Sequence, residues 1–216
     1  MKDGGPCHEC AGTIVESKSE KFEVGQRVIV LPDLDGPGGL VEYYPGNEGR
    51  MALLPDYGDL GEWVLCQPSG TVLYSCQLMG TILGKDVIIM GQGSIGLSFT
   101  AIISRAGARR IIAVDPLDYR LEWSKQFGAT HTINPEKENL DEALEEITNG
   151  KLADISVEAS GYPDALNAAL RAASQNGKVI IFGIQPGPRG RMTEIDTQYL
   201  LKNSPTIIPT LGGRSK

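Results

Sequence analysis

Gly91-Gln92-Gly93-Ser94-Ile95-Gly96 spells G-x-G-x-x-G in a chain of 216 residues. Among 27 glycines the pattern alone is weak, so its surroundings decide. The apolar run Asp86-Val87-Ile88-Ile89-Met90 ends at Gly91, and a helical pattern opens near Ile95. In that setting the first glycine permits a tight turn, the second lets backbone approach a pyrophosphate, and the third lets helix and strand close up. The exposed N–H groups of Ser94, Ile95 and Gly96 at the helix start would then meet the phosphates, helped by the positive end of the helix dipole. An acidic residue is expected about 20 residues on, at the end of the next strand. Asp115 lies 19 residues past Gly96, closing Ile111-Ile112-Ala113-Val114. Its carboxylate suits ribose hydroxyls and repels a 2′-phosphate, which favours NAD over NADP. Arg120, one turn into the following helix, would cover the adenine. The competing explanation is a chance glycine turn with Asp115 as a helix cap; the ordered strand, turn, helix, strand and acid argue against it.

A second cluster, Cys7-His8-Glu9-Cys10, has metal-ligand residue types. A zinc knuckle needs a second Cys-x-x-Cys, whereas Cys66 and Cys76 stand ten apart. By residue type alone, His8 reads as a histidine satisfied by backbone. Cys76 lies in an apolar helix-like stretch and reads as a small core residue. His131 packs or caps, and the Glu136 to Glu146 run is a solvated helix face.

The elements that must position these residues change character along the chain. Up to about residue 65, short β-like runs are broken by glycine and proline: Gly12 to Glu16, Arg27 to Pro32, and Gly39 to Tyr44. Too little chain is present there to close a barrel or sandwich unaided. From about residue 85 the rhythm is strand, helix, strand. Strands are predicted at 86–90, 111–115, 154–158, 178–183 and 206–210. Helices are predicted at 95–103, at 120–127 with Gly128 as its stop, around 140–147 and around 165–173. This alternation specifies an α/β fold with a doubly wound parallel sheet, preceded by a β-rich domain; the division falls at 1–72 and 73–216.

Hydrophobic residues make up 41% and charged residues 22%, ordinary for a globular protein, and the net charge is −7. Scattered basic residues on an acidic chain argue against nucleic-acid binding. No apolar run is long enough to cross a bilayer, and the first residues lack a signal-peptide pattern, so neither a membrane partner nor export is expected. Four cysteines without an oxidising context read as reduced thiols in the cytoplasm.

Gly84 to Leu97, Gly107 to Asp115, Gly128-Ala129-Thr130-His131, His8 to Glu16 and Phe22 to Val28 together resemble the medium-chain dehydrogenase/reductase superfamily, in particular its zinc-type alcohol dehydrogenases of the polyol and threonine dehydrogenase kind. The similarity runs over nearly the whole chain, which looks truncated at both ends. The resemblance implies a partial GroES-like catalytic domain before a Rossmann NAD-binding domain. It also implies hydride transfer from an alcohol, a polyol or an amino alcohol, to NAD. A catalytic zinc with three protein ligands and one open position would assist. His8 matches the family's histidine ligand and Glu9 the acid beside it. Thr71 matches a position near the nicotinamide. Ser160, Gly161, Gly183 and Ile184 fall where relatives line the cofactor cleft. The final β-run matches a strand that pairs subunits, implying a homo-oligomer.

Departures from the family pattern are specific. The third ligand position carries Gln67, a poor zinc ligand, and Cys7 replaces the usual glycine before His8. The four cysteines of the structural zinc lobe are absent from residues 33 to 60, so no structural zinc is expected. Two alternatives stay open: a zinc-free enzyme like the quinone reductases of the same superfamily, and a non-catalytic dinucleotide-binding fragment.

Overall fold

In the computed structural model, residues 7–32, 38–184 and 193–210 are described. The chain forms two compact units, Met1–Gly70 and Thr71–Lys216.

The first unit carries a three-stranded antiparallel sheet in the order β1-β2-β3: β1 Cys10–Thr13, β2 Arg27–Val30 and β3 Met51–Leu53. Beyond β1, Ile14 donates to the Gln26 carbonyl at 3.0 Å and Gly25 donates to the Ile14 carbonyl at 2.9 Å, continuing the pairing toward the turn. The expected strand over Gly39 to Tyr44 does not form. Gly39 donates its N–H to the Cys7 carbonyl at 2.7 Å instead of joining a ladder, and Leu40 and Tyr43 stay exposed. The third strand lies later, after a 3-10 turn at Glu48–Arg50 capped by the Asn47 side chain. Glycines and a proline flank the Leu40 to Tyr44 run, so its apolar residues lack the length and register of a strand. A short helix α1, Leu60–Trp63, is capped by Asp59, whose Oδ1 accepts the Gly61 N–H at 2.7 Å. The following helix α2, Cys66–Met79, contains the division between the units.

The second unit is a six-stranded parallel sheet in the order β6-β5-β4-β7-β8-β9. Its strands are β4 Asp86–Met90, β5 Arg110–Val114, β6 His131–Ile133, β7 Ala153–Glu158, β8 Ala173–Ile181 and β9 Thr206–Pro209. Between them run α3 Ser94–Arg105, α4 Asp118–Gln126, α5 Leu140–Thr148, α6 Pro163–Ala172 and α7 Thr197–Asn203. β6 and α7 were not foreseen; three residues are too short a strand to give a periodic signal. With β4 as the first strand, this is the 3-2-1-4-5-6 order of a Rossmann sheet, and the order reverses between β4 and β7.

Both faces of the sheet are covered, and β4 shows why its sequence is apolar throughout. Val87 and Ile89 face one core with Val72, Cys76 and Met79 of α2 and Phe99 and Ile103 of α3. Ile88 and Met90 face the other with Ile112, Val114, Leu144 of α5 and Leu166 and Leu170 of α6. Alternation puts successive side chains on opposite faces, so a strand buried on both sides has no polar face to show. At the amino end of β4, Asp86 is 1% exposed and ion-paired to Arg109 and Arg110. α5 begins at Asn139, whose Oδ1 accepts the N–H groups of Asp141 and Glu142, and ends at left-handed Asn149.

Candidate functional site

β4 ends at Met90 and the chain turns at Gly91, whose φ of +92° excludes most side chains without strain. Gly91 donates its N–H to the Val114 carbonyl at 2.8 Å, tying the turn to β5. A Cβ at Gly96 would run into the Gly91 carbonyl oxygen, so α3 packs on the turn at a distance only glycine permits. A Cβ at Gly93 would meet nothing. The turn at Gly91 and the close helix contact at Gly96 are as the sequence predicts, and the space at Gly93 is open.

α3 starts at Ser94 with Gly93 as its N-cap, and no side chain caps it. Its orphan N–H groups are left to a ligand or solvent, and no acidic residue lies in the first turn to compete with an anion. Ser94 is exposed and Ile95 half-buried, its side chain packed toward the core.

Asp115 directly follows β5 and is 2% exposed. Its Oδ2 accepts the Gln92 N–H at 2.8 Å, and its Oδ1 accepts the Leu117 N–H at 3.0 Å. Arg120 Nη1 donates to the same Oδ2 at 3.4 Å. Tyr119 first, through its hydroxyl, and then Asp115 raise the Arg120 pKa, keeping the guanidinium charged. The sequence assigned this carboxylate to a ribose; the structure adds that it clasps the glycine turn to the start of α4.

Two features were not found from sequence. Gln92 is fully buried; its Oε1 accepts from Thr100 Oγ1 at 3.0 Å, and that hydroxyl also reaches the Gly96 carbonyl at 3.0 Å. This bridge sits beneath the turn and locks it to α3. Glu158, at the end of β7, is 2% exposed, and its Oε1 accepts the N–H groups of Ser160 and Gly161 and the Ser160 hydroxyl, each at 2.7 Å. The Glu158 carbonyl accepts the N–H groups of Phe182 and Gly183, each at 3.0 Å. An acid closing an apolar strand just before Ser-Gly was the available signal.

The cofactor residues named from sequence fall along one rim at the carboxyl ends of β5, β4, β7 and β8. Ser160 lies against Gly91, where an added Cβ would meet the Ser160 Cβ at 3.0 Å. Gly161, with φ +79°, abuts the Ile184 carbonyl, and Gly183 has room for no side chain beside the Gly161 N–H. Ile184 itself is 77% exposed. Ligands in open α/β sheets bind at this edge, where the strand order reverses.

His8 and Glu9 are exposed in the segment before β1, in the first unit. Thr71 is half-buried on α2 and opens the second unit. Among the described residues no three His, Cys, Asp or Glu side chains converge as a metal site would require. The donor set within them therefore does not by itself make a zinc site around His8 and Glu9. Burial first, then the neighbouring Cys7 thiol, pushes Cys10 up to about 11. Gln67 is half-buried near the start of α2. Residues 211–216 lie outside the described residues.

The comparisons agree with this architecture. A family model described as zinc-binding dehydrogenase matches residues 94–216. A sorbitol dehydrogenase of Bacillus subtilis is 31% identical over 204 residues, covering 82% of this chain and 58% of that protein. An L-threonine 3-dehydrogenase of Pyrococcus horikoshii is 37% identical over 188 residues, covering 85% of this chain and 50% of that protein. The chain thus spans between half and three-fifths of the length of these relatives. Among solved structures, a 2R,3R-butanediol dehydrogenase from Bacillus subtilis superposes with a TM-score of 0.84 at 25% identity, covering 99% of this chain and 70% of that one. With the family model spanning more than half of its residues and a Rossmann sheet beneath the matched segment, this chain belongs to the zinc-binding dehydrogenase family.

Proposed function

We propose that this chain binds NAD along the rim of its parallel sheet and belongs to an enzyme that oxidises an alcohol, a polyol or amino alcohol, to a carbonyl. The observation that carries the reading is the uncapped N-terminus of α3 behind an open Gly93, with Asp115 holding the turn from the next strand. When bound, the nicotinamide supplies the hydride acceptor. The chain's own groups do the positioning. The first N–H groups of α3 bind the pyrophosphate, and Asp115 and Arg120 receive the adenosine end. Ser160, Gly161, Gly183 and Ile184 line the nicotinamide end, with Thr71 proposed beside it.

Asp115 also supports NAD over NADP, because a buried carboxylate at the ribose opposes a 2′-phosphate. Calorimetric titration of the 216-residue chain with each dinucleotide tests this. NAD is expected to bind at least tenfold tighter, about 1.4 kcal/mol. Tighter binding of NADP would overturn the preference, and no binding of either would overturn the reading.

A zinc role for His8 and Glu9 in the intact enzyme calls for donors beyond the described residues. Metal analysis separates the two enzyme readings. Zinc lost on His8→Ala supports the zinc enzyme. NAD binding without zinc favours the quinone-reductase-like or purely dinucleotide-binding alternatives, to which Gln67 also points. The substrate is a small molecule; the setting is proposed as cytoplasmic, without nucleic-acid or membrane partners. Among the described residues, no helix is long and apolar enough to cross a membrane.

A further inference from the structure

Four free cysteines are found, and they differ in setting. Cys76 is 5% exposed within the apolar core, where a thiol acts as a small hydrophobe. Cys66 is exposed near the start of α2. Cys7 and Cys10 are each half-buried, and their Sγ atoms lie 3.9 Å apart in direct contact.

That contact is held from outside the Cys7–Cys10 segment. Gly39 donates its N–H to the Cys7 carbonyl at 2.7 Å, and its Cα rests so close to Cys10 that a side chain at position 39 would strike the Cys10 Sγ. Cys10 opens β1, where it pairs with Val30 of β2. One thiol is thus fixed by the sheet, and the other is drawn over it by a separate loop. Converting the contact to a bond requires the sulfurs to close from 3.9 Å to about 2.05 Å. The entropy of bringing the two ends together is already spent in the fold.

We infer that Cys7 and Cys10 form a reversible dithiol–disulfide site, oxidised by low-molecular-weight disulfides of the glutathione type. One cysteine thiolate attacks a sulfur of the small disulfide, forming a mixed disulfide and releasing one small thiolate. The second cysteine thiolate attacks the bound protein sulfur, forming the Cys7–Cys10 bond and releasing the second small thiolate. The two cysteine protons pass to the two departing thiolates. Two protein thiols are oxidised by two electrons, and one small disulfide is reduced to two thiols. The ring so closed contains His8 and Glu9, so the oxidation state sets the backbone that carries both. The chemistry itself stands independently of any metal or NAD role.

The test exposes the native full chain to mixtures of reduced and oxidised glutathione, quenches with an alkylating agent, and reads intact mass and peptide maps. As the oxidised fraction rises, Cys7 and Cys10 are expected to lose alkylation together. The chain should lose the mass of two hydrogens, retain no glutathione on Cys7 or Cys10, and regain both thiols in dithiothreitol. Cys7→Ser and Cys10→Ser should each abolish the loss of two hydrogens, whereas Cys66→Ser should leave it unchanged. Thiols that stay alkylatable, a glutathione adduct that persists on Cys7 or Cys10 of the unsubstituted chain, or a bond that instead uses Cys66 would each overturn the inference.

Discussion

Single atoms decide whether the glycine turn can exist. Gly96→Ala places a methyl group against the Gly91 carbonyl, and backbone on both sides leaves little room to yield. The expected outcome is a loss of about 1–3 kcal/mol of stability, with dinucleotide affinity down at least tenfold, measured by urea unfolding and NAD titration. Gly93→Ala provides the contrast, since its Cβ meets nothing within the chain. It should fold normally and lose affinity only where a ligand needs that space. Cys76 offers a test by pH. Burial raises its thiol from 9.0 to about 12, because the thiolate is disfavoured in the apolar core. A raised folded pKa gives stability that is complete below pH 9 and lost as the pH climbs toward 12. Stability measured across that interval should fall less steeply in Cys76→Ala than in the unsubstituted chain, although Cys76→Ala starts lower. Equal slopes would mean the thiolate is accommodated.

Among the elements, α3 carries the most. It presents its uncapped N-terminus to the rim, and Phe99 and Ile103 on its inner face are fully buried. Phe99 meets Phe182 edge-to-face at 5.1 Å between ring centroids, linking the helix to the segment after β8 that runs into Gly183. Phe99→Ala should cost about 3–5 kcal/mol in chemical denaturation. Loosening α3 should also weaken dinucleotide binding. Phe99→Leu keeps most of the volume and should recover most of both; affinity that stays at the original level when Phe99→Ala lowers stability would uncouple the helix from the site. α3 was legible in the sequence because the segment from Ile95 to Ile103, apolar nearly all round, follows a strand and a glycine turn. The run from Gly39 to Tyr44 does not form the expected strand: six residues hold too little periodicity to outweigh the tertiary partner that Gly39 finds in Cys7.

For the whole molecule, the six-stranded sheet ends at β9, an edge strand whose Thr206, Ile207 and Pro209 are exposed. Such an edge pairs readily with a second copy, which is the proposed route to a homo-oligomer. Ile207→Lys should convert the oligomer to monomer in sedimentation analysis, with the fold intact by circular dichroism. An oligomer unaffected by that charge would place the interface elsewhere.

The sequence by itself determined the parallel sheet, the glycine turn and Asp115. All three depend on local pattern: alternation of apolar strands with helices, glycines where backbone must bend or approach, and an acid at a fixed offset. Tertiary structure alone decided how those pieces are held. Asp115 clasps the turn, Gln92 and Thr100 lock it from beneath, and Glu158 gathers Ser160 and Gly161. Each of those contacts joins residues through buried hydrogen bonds whose geometry depends on how strands and helices stack. Burial makes them matter, since an unpaired polar group in the interior costs about 1–3 kcal/mol. The Cys7–Cys10 contact is of the same kind: the spacing is visible in the sequence, but the closeness of the two sulfurs is set by Gly39, a residue far along the chain.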